Sequence, residues 1–250
     1  MLSKDQFIRY SRQMILPGIG EAGQQKLLSA RVLVVGAGGL GSSALYYLAA
    51  AGIGTLGIAD GDRVSLTNLH RQILHFTDDL DKPKTNSAAE KLMRLNPGIR
   101  IVTHDIRIEA SNVDRVIPGY DFIVDGTDNF DSKFLINDAC VKLKKAFSHG
   151  GILGFQGQTF TYVPGSACYR CVFREPPSPG ACPSCAEAGV LGPLAGLIGT
   201  VQAAESIKFL LGSGKLLRNR LLTVDASDME FRTIDIRRNP LCPACGKAGV

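Results

Sequence analysis

Two hydrophobic patterns divide the chain. In the first, short apolar runs recur at residues 31–36, Thr55–Ala59 and Phe122–Val124, with a further strand read at Ile99–Thr103. Such runs predict parallel strands covered on both faces. Between them, apolar positions spaced three and four apart predict helices at Leu40–Ala51, 82–95, Val113–Ile117 and Phe130–Lys144. Residues 4–28 also read as helical, broken at Pro17-Gly18. After Phe147 the pattern changes. Glycines punctuate at 150, 151 and 154, and Gln158–Val163 alternates as an antiparallel strand does. A helix at Leu194–Leu211 and a hairpin of Leu221–Asp225 with Met229–Ile236 follow. No repeat or low-complexity linker separates the halves. The expected fold is therefore α/β: a Rossmann-like parallel sheet continued by antiparallel strands into one mixed sheet flanked by helices.

Composition narrows the class. A hydrophobic content of 45% and a charged content of 20% over 250 residues suit a soluble protein with a real core. The net charge of +5 is scattered rather than run together, which argues against nucleic acid as a partner. Lys4, Asp5 and Arg9 leave no apolar signal core at the N-terminus, so the cytosol is the expected compartment. The uncharged stretch 188–204 is broken by glycines and Pro193 and reads as a loop running into a buried helix, not a membrane span. Seven cysteines in that setting point to metal or redox chemistry rather than structural disulfides.

The chemistry begins at the first strand. Gly36, Gly38 and Gly41 fit G-x-G-x-x-G between strand and helix. In such a turn the first glycine permits the bend, the second lets backbone approach phosphate, and the third lets helix close on strand. The helix N-terminus then presents N–H groups to an anion. Asp60, at the end of the second strand, is spaced to hold a ribose. A nicotinamide-dependent oxidoreductase would suit these features equally. Arg71 and Lys84 are cations that such an enzyme does not need, and they suggest chemistry at phosphorus. Asp128, at the end of the fourth strand, reads either as a metal ligand or as the N-cap of the next helix. Asp125 reads as structural. The polar stretch Arg9-Tyr-Ser-Arg12-Gln13 reads as a solvated helix face. Three C-x-x-C pairs stand at 168/171, 182/185 and 242/245. Two pairs would make a thiolate zinc site, but spacing does not say which two. The pair at 182/185 falls in a Pro- and Gly-rich loop, 174–187, where it reads as a reactive or redox pair or as incidental. Cys140 reads as core.

The glycine fingerprint, Asp60-Gly-Asp62, Asn68-Leu-His-Arg71-Gln72, Lys82-Pro-Lys84, Thr127-Asp128-Asn129 and the outer C-x-x-C pairs together resemble the MoeB/ThiF (HesA/MoeB/ThiF) family, bacterial relatives of ubiquitin-activating enzymes. The resemblance runs from Arg9 to Cys245. It implies one adenylation domain: N-terminal helices to residue 30, a nucleotide-binding half at 31–149 and a carrier-binding half with a C-terminal zinc site at 150–250. It implies an adenylyltransferase that uses ATP and Mg2+ to activate the C-terminal glycine of a ubiquitin-like sulfur carrier, MoaD- or ThiS-like, with release of pyrophosphate. Molybdopterin synthesis is the implied destination, with thiamine thiazole or another sulfur metabolite as the alternative. Gly38 and Gly41 would face phosphate, Asp60 the ribose, and Asn68, Arg71 and Lys84 the phosphates. Gly36, Gly39, Asp62, Gln72 and Asn129 would complete the nucleotide site. Asp128 would bind magnesium. Arg12 would reach into the partner subunit's site, making a homodimer the working unit. Cys168, Cys171, Cys242 and Cys245 would hold Zn2+, and Cys185 would stand where the family places its sulfur-transfer cysteine, with Cys182 as an extra thiol beside it. With no rhodanese-like domain before Val250, a separate sulfur donor, a cysteine desulfurase or rhodanese, is expected.

Overall fold

The apolar runs of the first half become neighbouring parallel strands: β1 (Arg31–Val35), β2 (Thr55–Ala59), β3 (Arg100–His104) and β4 (Phe122–Asp125). Four more follow, β5 (Ala146–Leu153), β6 (Gln156–Tyr162), β7 (Arg220–Asp225) and β8 (Glu230–Asp235). They form one eight-stranded sheet in the order β3-β2-β1-β4-β5-β6-β7-β8. Pairing is parallel from β3 through β5 and antiparallel from β5 to β8. This is a computed structural model that describes residues 1–178 and 185–246, with backbone alone for 185 and 186.

The helices are α1 (Lys4–Met14), α2 (Gly20–Ser29), α3 (Gly39–Ala51), α4 (Lys84–Leu95), α5 (Val113–Val116), α6 (Phe130–Lys142), α7 (Tyr169–Val172), α8 (Cys185–Ala188) and α9 (Gly192–Leu211). Alternate strand residues serve opposite layers, as the pleat requires. Val32, Val34 and Phe122 pack with Leu45 and Leu48 of α3, Leu92 of α4 and Ala203 of α9. Leu33, Val35 and Ile123 pack with Val113 of α5 and Phe134 and Ile136 of α6. Both faces of the central strands are dry, which is why they read as unbroken apolar runs. By length and composition α9 could cross a membrane, yet half of its most apolar window is buried in the protein. Gln202, from α9, bridges two central strands by donating to the carbonyls of Asp125 (2.8 Å) and Ser148 (3.0 Å).

Two local outcomes bear on the site. Asn129, not Asp128, caps α6, its side chain accepting from the Ser132 N–H at 2.9 Å. And Ala146–Leu153, read from sequence only as a glycine-punctuated break, is the strand on which the sheet changes from parallel to antiparallel. Chain order reverses between β1 and β4, and such a switch point opens a crevice at the strands' carboxyl ends.

Candidate active site

A cavity of about 1480 Å³ fills that crevice. Gly36, Gly38, Gly39, Asp60, Asp62, Arg71, Gln72, Lys84, Asp128 and Asn129 all line it. Gly41 and Asn68 do not line it, although Asn68 contacts the lining residue Arg71. Arg12 lies elsewhere, on the exposed side of α1 by a shallow cleft that also includes Gln13 and Tyr47.

Backbone geometry explains the glycine turn. Gly36 has a positive φ of 93°, and a Cβ at Gly41 would stand 1.8 Å from the Gly36 carbonyl oxygen. These two positions are fixed by the fold itself. At Gly38 an added Cβ would meet nothing nearer than Gln72 Nε2 at 3.6 Å, so its bareness serves the cavity side. Asp60 braces the turn: its Oδ2 accepts from the Ala37 N–H and its Oδ1 from the Asp62 N–H, both at 2.8 Å. Burial pushes its carboxyl up, against the pull of Lys84 and those two N–H groups.

The segment between β2 and α4 carries the cations. Asn68 Oδ1 accepts from Arg71 Nη2 at 2.8 Å, and Arg71 Nη1 lies 2.8 Å from His70 Nε2. Lys84 is buried, with Nζ 3.1 Å from Asp62 Oδ2. Burial favours protonation of Asp62, but Lys84 and Arg107 outweigh it and hold that carboxyl below its usual range. His75, unremarked in the sequence, joins this segment to the glycine turn. Its Nε2 meets the Ala37 carbonyl and its Nδ1 the Ser87 hydroxyl of α4, each at 2.8 Å. Burial pushes His75 down, so the ring is neutral and one nitrogen serves as donor.

The opposite wall is built on Asp125. This carboxylate is buried and accepts from Lys133 Nζ (3.3 Å), His149 Nδ1 (3.2 Å) and the Thr127 hydroxyl (2.6 Å). Burial alone would raise it, but Lys133 and His149 hold it at about 2. Lys133 also donates to the carbonyls of Thr127 and Gly150. The loop carrying Asp128 is thus tied to β5. Because Asn129 takes the cap, Asp128 makes no hydrogen bond or ion pair among the described residues. It is exposed toward the cavity and free to ligate a cation. Lys133 and His149 do not stand out in the sequence, since a lysine in a helix and a histidine before glycines look like surface.

Cys168, Cys171, Cys242 and Cys245 bring four sulfurs within 4.8 Å of one another. Measured pairs are 4.0 Å (168/171), 3.6 Å (168/242) and 3.4 Å (171/245). A tetrahedral zinc with Zn–S near 2.3 Å requires S–S edges of about 3.8 Å, so the donor set fits that ion. Spacing left three pairs open, and the fold brings together the outer two. Cys182 and the Cys185 side chain lie outside the described residues. Tyr169, between the first two ligands, joins this knuckle to the cavity wall, its N–H donating to Asn137 Oδ1 at 2.8 Å.

Comparison with known proteins adds to this geometry. Residues 10–244 match the profile of the ThiF family. The chain is 48% identical over 249 residues to the SAMP-activating enzyme E1 of Haloferax volcanii, covering 100% of this chain and 92% of that protein. It is 47% identical over 250 residues to the sulfur carrier protein adenylyltransferase of Thermus thermophilus, with coverages of 98% and 92%. Among solved structures, E. coli MccB with ATP superposes with a TM-score of 0.83 at 26% identity, over 95% of this chain and 74% of that one.

Proposed function

The chain belongs to the ThiF family, and on that premise we propose that it is an ATP-dependent adenylyltransferase that activates the C-terminal carboxylate of a ubiquitin-like sulfur carrier. The observation that carries this reading is the gathering of Asp60, Arg71, Lys84 and Asp128 around one cavity from four separated stretches of sequence. A hydride-transfer enzyme would use the glycine turn and Asp60 but has no use for the other three.

In the proposed reaction a carrier carboxylate oxygen attacks the α-phosphorus of ATP. The bond from that phosphorus to the bridging oxygen breaks, and pyrophosphate leaves with the electron pair. Asp60 accepts from the ribose hydroxyls through lone pairs left free by its two N–H contacts. The N–H groups of the glycine turn and the N-terminus of α3 cradle the phosphates. Charge accumulates on phosphoryl oxygens as the bonds exchange, and Arg71 and Lys84 offset it. The Asp62–Lys84 ion pair keeps the ammonium inside the site before nucleotide arrives. One exposed carboxylate together with phosphate oxygens is a donor set suited to Mg2+. Asp128 would hold that ion, which would neutralise part of the triphosphate.

Three further parts of the reading rest on this chain's residues. The four-cysteine cluster would carry Zn2+ and pin the C-terminal segment to α7. Exposed Phe7 and Ile8 of α1, with Ile15 and Leu16 just after it, lie on either side of Arg12 in sequence and offer apolar surface suited to a second copy. That supports a homodimer in which Arg12 completes the partner's site. Cys185 would take part in sulfur transfer from a separate donor protein in the cytosol.

The test is pyrophosphate exchange into ATP in the presence of candidate carriers ending in Gly-Gly. Carrier-dependent exchange is expected. No exchange with any such carrier at saturating ATP and magnesium would overturn the proposal.

A further inference from the structure

One histidine behind the cavity wall is used by no step above. His75 is buried and does not itself line the cavity. Its Nε2 meets the Ala37 carbonyl, which can only accept, so the ring donates there. With the ring neutral, Nδ1 accepts, and the Ser87 hydroxyl is its donor. Behind Ser87, Lys91 Nζ donates to Ser87 Oγ at 2.9 Å and to the Ser87 carbonyl at 3.1 Å, and it pairs with Asp79. The donors therefore all run one way, from Lys91 through Ser87 and His75 to Ala37.

Ala37 is the only residue with a side chain in the run Gly36-Ala37-Gly38-Gly39. Glycines leave such a run wide backbone freedom, so its peptide planes need outside contacts to fix them. Two side chains supply these: Asp60 takes the Ala37 N–H, and His75 takes the Ala37 carbonyl. The second contact decides where the next N–H points. Across a trans peptide the C=O and the following N–H point in opposite directions. With the Ala37 C=O turned to the buried ring, the Gly38 N–H points away from it. Ala37 is fully buried, whereas Gly38 is half-buried and lines the cavity. Among the described residues the Gly38 N–H has no acceptor. An open backbone donor at the mouth of a glycine turn is suited to an anion.

We propose that His75 is a positioning residue for the nucleotide: by holding the Ala37 carbonyl it turns the Gly38 N–H toward the phosphates and keeps it there before they arrive. The inference rests on the adenylation reading and deepens it. Without the contact, the peptide between Ala37 and Gly38 is free to turn over, which glycine at 38 permits. It would then present a carbonyl oxygen to a polyanion in place of a donor. The ring also ties the glycine turn to α4, the helix that starts at Lys84. One buried side chain thus couples two phosphate-facing parts of the site without touching the nucleotide.

Two substitutions divide the contacts of the ring. His75→Asn keeps an oxygen near the Nδ1 position for Ser87 but is too short to donate to Ala37. His75→Gln places an amide N–H near the Nε2 position and gives up the contact with Ser87. Each is compared with the wild type for ATP affinity by calorimetry, and for ATP and carrier KM in pyrophosphate exchange with a carrier ending in Gly-Gly. Inhibition of that exchange by adenosine, which has no phosphate, is measured alongside, with thermal melting as the folding control. A further measurement needs only the wild type: the Gly38 amide resonance, identified by its absence in Gly38→Ala, is followed by NMR as ATP or adenosine is added.

For His75→Asn the dissociation constant and KM for ATP are expected to rise about tenfold, the loss of one hydrogen bond to a charged acceptor, while the carrier KM and adenosine inhibition stay within about twofold. His75→Gln is expected to hold ATP within about threefold of wild type, even where it melts earlier than His75→Asn. The wild-type Gly38 amide is expected to shift with ATP and not with adenosine. If folded His75→Asn binds ATP as the wild type does, the turn holds itself and the inference falls. If both variants lose ATP in step with their melting temperatures, or adenosine weakens alongside ATP, the ring is only structural and the inference falls as well. A Gly38 amide unmoved by ATP overturns it whether or not either variant folds. Each of those results leaves adenylation standing. Failure of the wild type to bind ATP, or to exchange pyrophosphate with any carrier, overturns the functional reading, and the inference with it.

Discussion

Acid should loosen this protein through one ring. His149 is pushed down to about 4, first by burial and then by Lys133, against the pull of Asp125. An unfolded histidine titrates at about 6.5. As pH falls through 6.5 the unfolded chain takes up a proton that the native ring refuses. Stability is therefore complete above the unfolded value and is lost progressively down to about 4. Between about pH 7 and pH 5 the linkage relation gives a loss of about 2 kcal/mol from this residue alone. Urea unfolding followed by tyrosine fluorescence would measure it, there being no tryptophan in the chain. Acid would also protonate zinc-ligating thiols and expel metal, so wild type must be compared with His149→Asn under the same conditions. The variant cannot titrate there and should lose about 2 kcal/mol less over the interval. Parallel curves for the two proteins would refute the claim that His149 is held neutral. Below about pH 4 a second decline belongs to Asp125, whose native value of about 2 lies under that of an unfolded carboxyl.

Other outcomes follow from the same contacts. Asp128→Ala should cut pyrophosphate exchange by about 10²-fold or more while leaving the melting temperature unchanged, because Asn129 holds the helix cap; retained activity would remove the magnesium role. Lys84→Ala should likewise abolish exchange, and should also let Asp62 titrate higher, which a carboxyl chemical shift would report; an unshifted Asp62 would contradict the ion pair. Gly41→Ala forces a methyl toward the Gly36 carbonyl and should cost more than about 2 kcal/mol together with ATP binding by calorimetry; a variant with native stability would mean that helix and strand do not close so tightly. Metal analysis of the purified protein should find one zinc per chain, and Cys242→Ser should lose that zinc and melt earlier; protein free of zinc with unchanged melting would refute the cluster as a metal site.

What could be read from sequence was whatever one residue or a local pattern dictates. The strands β1, β2 and β4 showed as apolar runs because both their faces are dry. The glycine turn showed because Gly36 and Gly41 answer to backbone geometry. Asp125 was separable as structural, and the change from parallel to antiparallel pairing was expected. The strand on which it happens was not. Ser148, His149, Gly150 and Gly151 lack every mark of a strand, because each answers to a neighbour distant in sequence. His149 meets Asp125, Gly150 makes room for Gln202, and Gly151 is bare over the cavity. Lys133 escaped notice for the same reason, being a solvent residue by type and a buried one by contact. Which cysteine pairs come together also needed the fold, since 71 residues separate Cys171 from Cys242 by position. From position alone Asp128 read as either ligand or cap, and the structure gives the cap to Asn129.

The pairing of β4 with β5 sets Asp125 directly opposite His149. Side chains on a strand alternate between faces, so a shift of one residue would aim Ser148 at Asp125 and turn His149 toward α9. Residues 143–145, the short link from α6 into β5, therefore work as the gauge of the whole site. Adding or deleting one residue there would leave every reactive side chain in the chain and the sheet intact in outline. The nucleotide wall and its opposite wall would then no longer face each other. Homologues and designed variants should tolerate length changes in many loops of this fold, but not in that one.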